Sequence, residues 1–170
     1  MLANTWTTIF LFIICASLLN LSIAFLIKKE TLPIALTIDY SQAQFKFIKI
    51  WVKFALIIGI IFPLILLAID FSNPIYRQIW GLYLLAIVFQ LISERLLNRL
   101  FFKSIVAIVG TIYTTFRIWQ LWEALNLLDY HQPWLALLWI ILAFWVANII
   151  MLITVPWPII IKGDRNLTTE

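Results

Sequence analysis

The stretch SIVAIVGTIYTTFRIWQLWEALNLL, residues 104–128, decides how many times this chain crosses a membrane. Its first 13 residues, Ser104 to Phe116, are uncharged, and then Arg117 interrupts the run. A helix needs about 20 mostly apolar residues to cross a hydrocarbon core of about 30 Å. Thirteen alone would suit a re-entrant segment, whereas 104–128 taken whole is long enough to span.

The neighbouring stretches are plainer. Outward from 104–128 lie apolar segments at 75–97 and 133–155, then at 51–69 and 5–27, each of a length that crosses as a helix. Of the 170 residues 64% are hydrophobic and 12% charged, where a soluble protein would have about 45–50% and about 25%. These figures predict an all-α, polytopic integral membrane protein: a single transmembrane domain over 1–170, five helices in one bundle. The run at 5–27 is too long for a signal-peptide core and has no Lys or Arg ahead of it, so it is expected in the mature protein.

Basic residues test the five-span count independently. Lys28, Lys29, Lys46, Lys49 and Lys53 fall in or beside the first loop, Arg95, Arg99 and Lys103 beside the third, and Lys162 and Arg165 in the tail. The opposite side holds Arg77 alone, a split of ten to one. The positive-inside rule then places the N-terminus outside and the C-terminus in the cytoplasm, which requires an odd number of spans. Without 104–128, one basic group would have to be exported. Trp6, Trp80, Trp119, Trp122 and Trp134 fall near the outer ends and Trp51 and Trp157 near the inner ones, as interfacial belts require, while Trp139 and Trp145 lie deeper. Asn73 before Pro74 is a helix start, Pro133 another, and Pro156 with Pro158 is expected to close the last span. Pro63 should kink the second span, a neighbour or water taking up the carbonyl it frees.

Three constellations could carry function. Lys46, Lys49 and Lys53 repeat along one helical face of an amphipathic segment, 41–53, with Phe45, Ile48, Trp51 and Val52 covering the other side. Ser41 and Gln44 form a capping box at its start. It is expected to lie in the interface, its lysines holding anionic headgroups at about 1 kcal/mol each. Arg95, Arg99 and Lys103, spaced by four, would extend such a surface if the chain were helical across the junction at 100–104. Glu94 is expected to pair with Arg95 or Arg99.

Arg117 is the second. It should sit about 14 Å inside the outer boundary at about 1.5 Å rise per residue, where an arginine costs about 2.5–3.5 kcal/mol near mid-helix. Tyr113 and Gln120 share its helical face, a candidate site for an anionic group. The plainer expectation has Arg117 snorkelling to Glu123, Asp70 or Asp129. The third is a tier of amides, Asn20, Gln90 and Asn148, at one depth, with Gly59 and Thr111 near it. Such a tier would bond helices together or line a small polar cavity.

Four Gly, one Cys and one His supply no phosphate loop, disulfide framework or metal cluster, so no cofactor and no metal is expected. Cys15 reads as a small core residue and His131 as a solvated loop residue. The sequons Asn20-Leu-Ser22 and Asn166-Leu-Thr168 fall in a span and on the inner side, so neither implies a glycan. The net charge of +4 points to anionic lipid on the cytoplasmic face rather than to nucleic acid. The expected function is therefore non-enzymatic, an accessory, assembly or lipid-contacting membrane component with room for a membrane-protein partner. Alternatives are a small carrier or lipid-handling protein using Arg117, or an intramembrane enzyme acting on a lipid. The distance expected between Glu94 and Arg117, near opposite halves of the bilayer, weighs against the last.

Overall fold

The computed structural model describes residues 2–128, 130 and 132–162, with side chains from 6 to 161. Asp129, His131, Arg165, the Lys162 side chain and the 166–168 sequon, named above, lie outside the described residues. Within them the chain is helical throughout, joined by turns. Helix α1 is Leu2–Lys28, and α2 is Gln42–Leu56, continued by a π-helical stretch Ile57–Ile61 and by α3, Phe62–Ile69. Then come α4 (Pro74–Leu100), α5 (Ile105–Leu127), α6 (Trp134–Thr154) and α7 (Pro156–Lys162).

Four stretches, Trp6–Lys28, Gln42–Ile69, Pro74–Leu100 and Trp134–Ile161, are long and apolar enough to cross a membrane. By length and composition these describe a multi-pass membrane protein. Helix α5 falls outside that set, yet it is 23 continuous helical residues and not a re-entrant turn. Its lower hydropathy has a structural counterpart. Ile105, Val109, Tyr113, Arg117, Leu121 and Ala124 are buried along its whole length, because α4, α6 and α1 pack around it.

The contacts fix the helix directions. Arg117 meets Gln90 and Gly110 stands against Glu94 on α4, while Thr114 meets Asn148 and Gly110 stands against Leu152 on α6, so α5 runs antiparallel to both. Helix α1 follows α4, its Ile9 and Ile13 packing with Leu82 and its Ala24 and Ile27 with Leu97. Alanines at 16 and 24 let α1 approach closely, with the fully buried Asn20 between them. Phe12 of α1 stacks on Phe116 of α5.

Three boundary expectations need correction. The segment 41–53 is no separate interfacial helix: Ser41 and Gln44 do form the capping box, but the helix runs on without a break to Ile69. Nothing between 42 and 56 terminates it, and α2 buries no residue. Lys46, Lys49 and Lys53 are all exposed on it, and the Lys49 ammonium lies 4.3 Å from the Phe45 ring centre. Pro156 does close α6, which stops at Thr154 as expected, but it does not end the helical run. After an interruption at Val155 the chain resumes as α7, since proline is well suited to a first helical turn, where no intrahelical N–H bond is needed. Lastly, α4 stops at Leu100, so exposed Lys103 lies in the turn and does not continue the helical row of Arg95 and Arg99.

The long first loop is tied down. Ser104 donates its hydroxyl to the Ala35 carbonyl at 2.5 Å and its N–H to Leu36 at 3.3 Å. The Ala35 N–H donates in turn to Ile160 of α7 at 2.8 Å. One short stretch of loop thus joins the start of α5 to the end of the chain's last helix.

Candidate functional site

The interior polar groups form a connected set that begins with a proline. Pro63 has no N–H, so the Gly59 carbonyl four residues earlier loses its ordinary helical donor. The Tyr83 hydroxyl of α4 donates to that carbonyl at 3.0 Å, the outcome expected for a freed carbonyl in lipid. Tyr83 itself accepts from Trp145 Nε1 of α6 at 2.7 Å. Trp145 can reach it only because residue 59 is glycine, for a Cβ there would stand 2.5 Å from the ring carbon Cζ2. Three helices therefore meet at one hydroxyl.

Arg117 lies over the face of the Trp145 ring. Its guanidinium carbon is 4.0 Å from the ring centre, a cation–π contact in a buried place, and the side chain is only 2% exposed. Its Nη2 donates to Gln90 Oε1, and Gln90 Nε2 donates to Glu94 Oε1. The carboxylate stands against α5, since a Cβ on Gly110 would be 3.8 Å from Glu94 Oε1. Two expectations are corrected here. Arg117 does not snorkel to Glu123 or Asp70, because helical side chains lean toward the helix N-terminus and carry it away from the end where those acids lie. Glu94 pairs with neither Arg95 nor Arg99, which are exposed, and through Gln90 it joins Arg117 instead of lying in a remote half of the molecule.

The amide tier divides. Asn148 accepts from Trp51 Nε1 at 2.7 Å and donates to Thr114 at 3.1 Å, fastening the α2 rod, α6 and α5 together. Gln90 belongs to Arg117, and Asn20, fully buried, has a partner for neither amide atom. Nearer the inner ends, Trp157 donates to Thr111 at 3.0 Å. Tyr113 and Arg117 are buried one turn apart, and the Tyr113 hydroxyl and Arg117 Nε have no partner. Gln120 is not bonded to them and faces elsewhere.

It faces a cavity of about 190 Å³ between the first halves of α1 and α4 and the last turns of α5. Ile9, Leu82, Tyr83, Gln120, Leu121 and Glu123 are among its walls. Trp80, also in the wall, is fully buried and donates to Tyr130 of the loop at 2.8 Å; burial raises the pKa of that phenol. Cys15 is exposed, not a core residue. Among the described residues no group of three or more potential metal ligands occurs.

Tyr83, Trp145 and Pro63 with Gly59 carry this site, and sequence reasoning did not join them. A signal existed: a tryptophan away from the interfacial belts needs a hydrogen-bond partner inside the bundle. Comparison of the chain with protein-family models, characterised proteins and solved structures gives no match.

Proposed function

We propose that the chain is a five-pass integral membrane protein, N-terminus outside and C-terminus cytoplasmic, serving as a non-enzymatic accessory or assembly component in contact with lipid. The fifth pass is α5. Its place between α4 and α6, antiparallel to both, supports a full crossing, as does the ten-to-one basic split. Exposed Lys46, Lys49, Lys53, Arg95, Arg99 and Lys103 then all face the cytoplasmic headgroups.

The single observation that carries the functional reading is what the interior polar groups do. Arg117, Gln90, Glu94, Tyr83, Trp145, Asn148 and Trp51 bond chiefly to one another across helices. In lipid no hydrophobic force draws helices together, so interhelical hydrogen bonds and close packing must do it. Fastening accounts for these residues without a substrate.

A second reading has one observation in its favour. Arg117 Nε and the Tyr113 hydroxyl, buried and unpartnered, could receive an anionic group in a more open state of the bundle. The two readings separate in the double variant Arg117→Leu/Glu94→Leu, which removes both charges and leaves no lone one. Apolar replacement of a buried ionic set is often neutral or stabilising. Fastening predicts that this variant folds and complements cells lacking the wild-type protein. A folded variant that fails to complement would move the weight to an anion site.

A further inference from the structure

The cavity beside α5 is lined by two acceptors with nothing to accept. Glu123 makes no hydrogen bond or ion pair among the described residues, and Gln120 Oε1 is buried without a donor. They stand three residues apart, on one face of α5, both in the cavity wall. Of the aromatic donors in the wall, Trp80 is engaged with Tyr130 and Tyr83 with the Gly59 carbonyl, while Trp119 stands exposed at the rim. Glu123 is half-buried in the cavity wall, so a cation entering the largely apolar cavity would find its charge met there. Ile9, Leu82 and Leu121 supply the apolar remainder. The rim includes Trp119 and Leu127, whose side chains are exposed on the bundle's outer surface, so the opening faces what surrounds the helices.

We propose that this cavity binds a membrane lipid whose headgroup carries a primary ammonium. The ammonium donates to Glu123 and Gln120, and part of one acyl chain lies against Ile9, Leu82 and Leu121. Glu123 is one turn from the end of α5 at Leu127, the depth at which a headgroup and the start of its chain are found. The acceptors select a donor-bearing cation: a quaternary ammonium has the charge but no N–H, and an anionic headgroup is repelled. The proposal rests on a membrane-embedded bundle. A protein that stays monodisperse in water without detergent would sink that premise, an outcome distinct from those below.

The test is lipid retention by the purified protein in mixed micelles of phosphatidylethanolamine and phosphatidylcholine with identical chains, read by native mass spectrometry. The wild type is expected to retain the ethanolamine lipid on the order of tenfold more strongly, the scale of one charge-assisted contact. Glu123→Gln should bring the two lipids to near parity with an unchanged melting temperature. Ala124→Leu, which fills the cavity wall, should lower retention of both. Should that variant fold poorly, Glu123→Gln carries the test alone. Equal retention of the two lipids by the wild type, or an undiminished preference in Glu123→Gln, would overturn the proposal. So would binding of dodecylamine to the Glu123 site without any preference between the phospholipids, since the ligand would then be a soluble amine.

Discussion

At position 59 a hydrogen atom stands where any other residue would place a carbon 2.5 Å from the Trp145 ring. Trp145 is held at its indole N–H by the Tyr83 hydroxyl and over its ring by the Arg117 guanidinium, so it has little freedom to retreat. Gly59→Ala should therefore destabilise the protein by about 1–3 kcal/mol, as overpacking of a tight interior does. The midpoint of thermal unfolding in detergent measures it, and most of the loss should vanish in a Trp145→Phe background. An equal loss in both backgrounds would remove the clash as the cause. At this scale the sequence made Arg117 conspicuous, because a permanent charge in an apolar run always demands a partner. It could not say which partner. A helical face narrows the choice to a direction, and whether Gln90 or Asp70 lies there depends on which helix packs alongside.

Among the elements, α5 joins the lack of a stretch apolar enough to count as a span to burial along its full length. Lipid never has to solvate much of its polar stripe, since Thr114 and Arg117 face α6 and α4. An isolated 104–128 segment lacks those neighbours and keeps the cost of its arginine. Fused alone into a membrane-insertion reporter it should integrate poorly, and preceded by α4 and followed by α6 it should integrate well. Efficient insertion of the lone segment would show that its neighbours are not needed. The extents of α1, α4 and α5 were legible from apolar runs and from caps such as Asn73, which accepts from the Ile75 N–H at 3.0 Å. The starts and stops of the other two were less so. The lysines of 46–53 imitate an interfacial surface whether or not the helix continues inward, and a proline ends a helix or opens one with the same residue.

For the whole molecule, orientation is the property on which the remaining assignments depend. With Cys15 replaced, a single cysteine introduced at Gln42 should resist an impermeant thiol reagent outside intact cells, while one at His131 should react. Labelling at Gln42 would reverse the topology and put the cavity of α1, α4 and α5 in the other leaflet. The orientation expected from charge counting needs no knowledge of packing. Packing itself, which turned a tier of three amides into two separately bonded side chains and one lone asparagine, leaves no periodic trace in the chain.

The α2 rod has a further consequence for the bilayer around the protein. Its uncharged portion, 54–69, is 16 residues, whereas that of α1, 6–27, is 22. At about 1.5 Å per residue these are roughly 24 and 33 Å, one below and one above an average core of about 30 Å. The rod packs with α4 and α6, and α1 with α4 and α5, so the two unequal heights face different sides. A membrane of uniform thickness cannot match both. The lipid annulus must thin beside the rod, or the whole bundle must tilt toward it, with the lysines at 46, 49 and 53 reaching down to follow the lowered surface. The apolar belt of the molecule is thus of uneven height around its circumference.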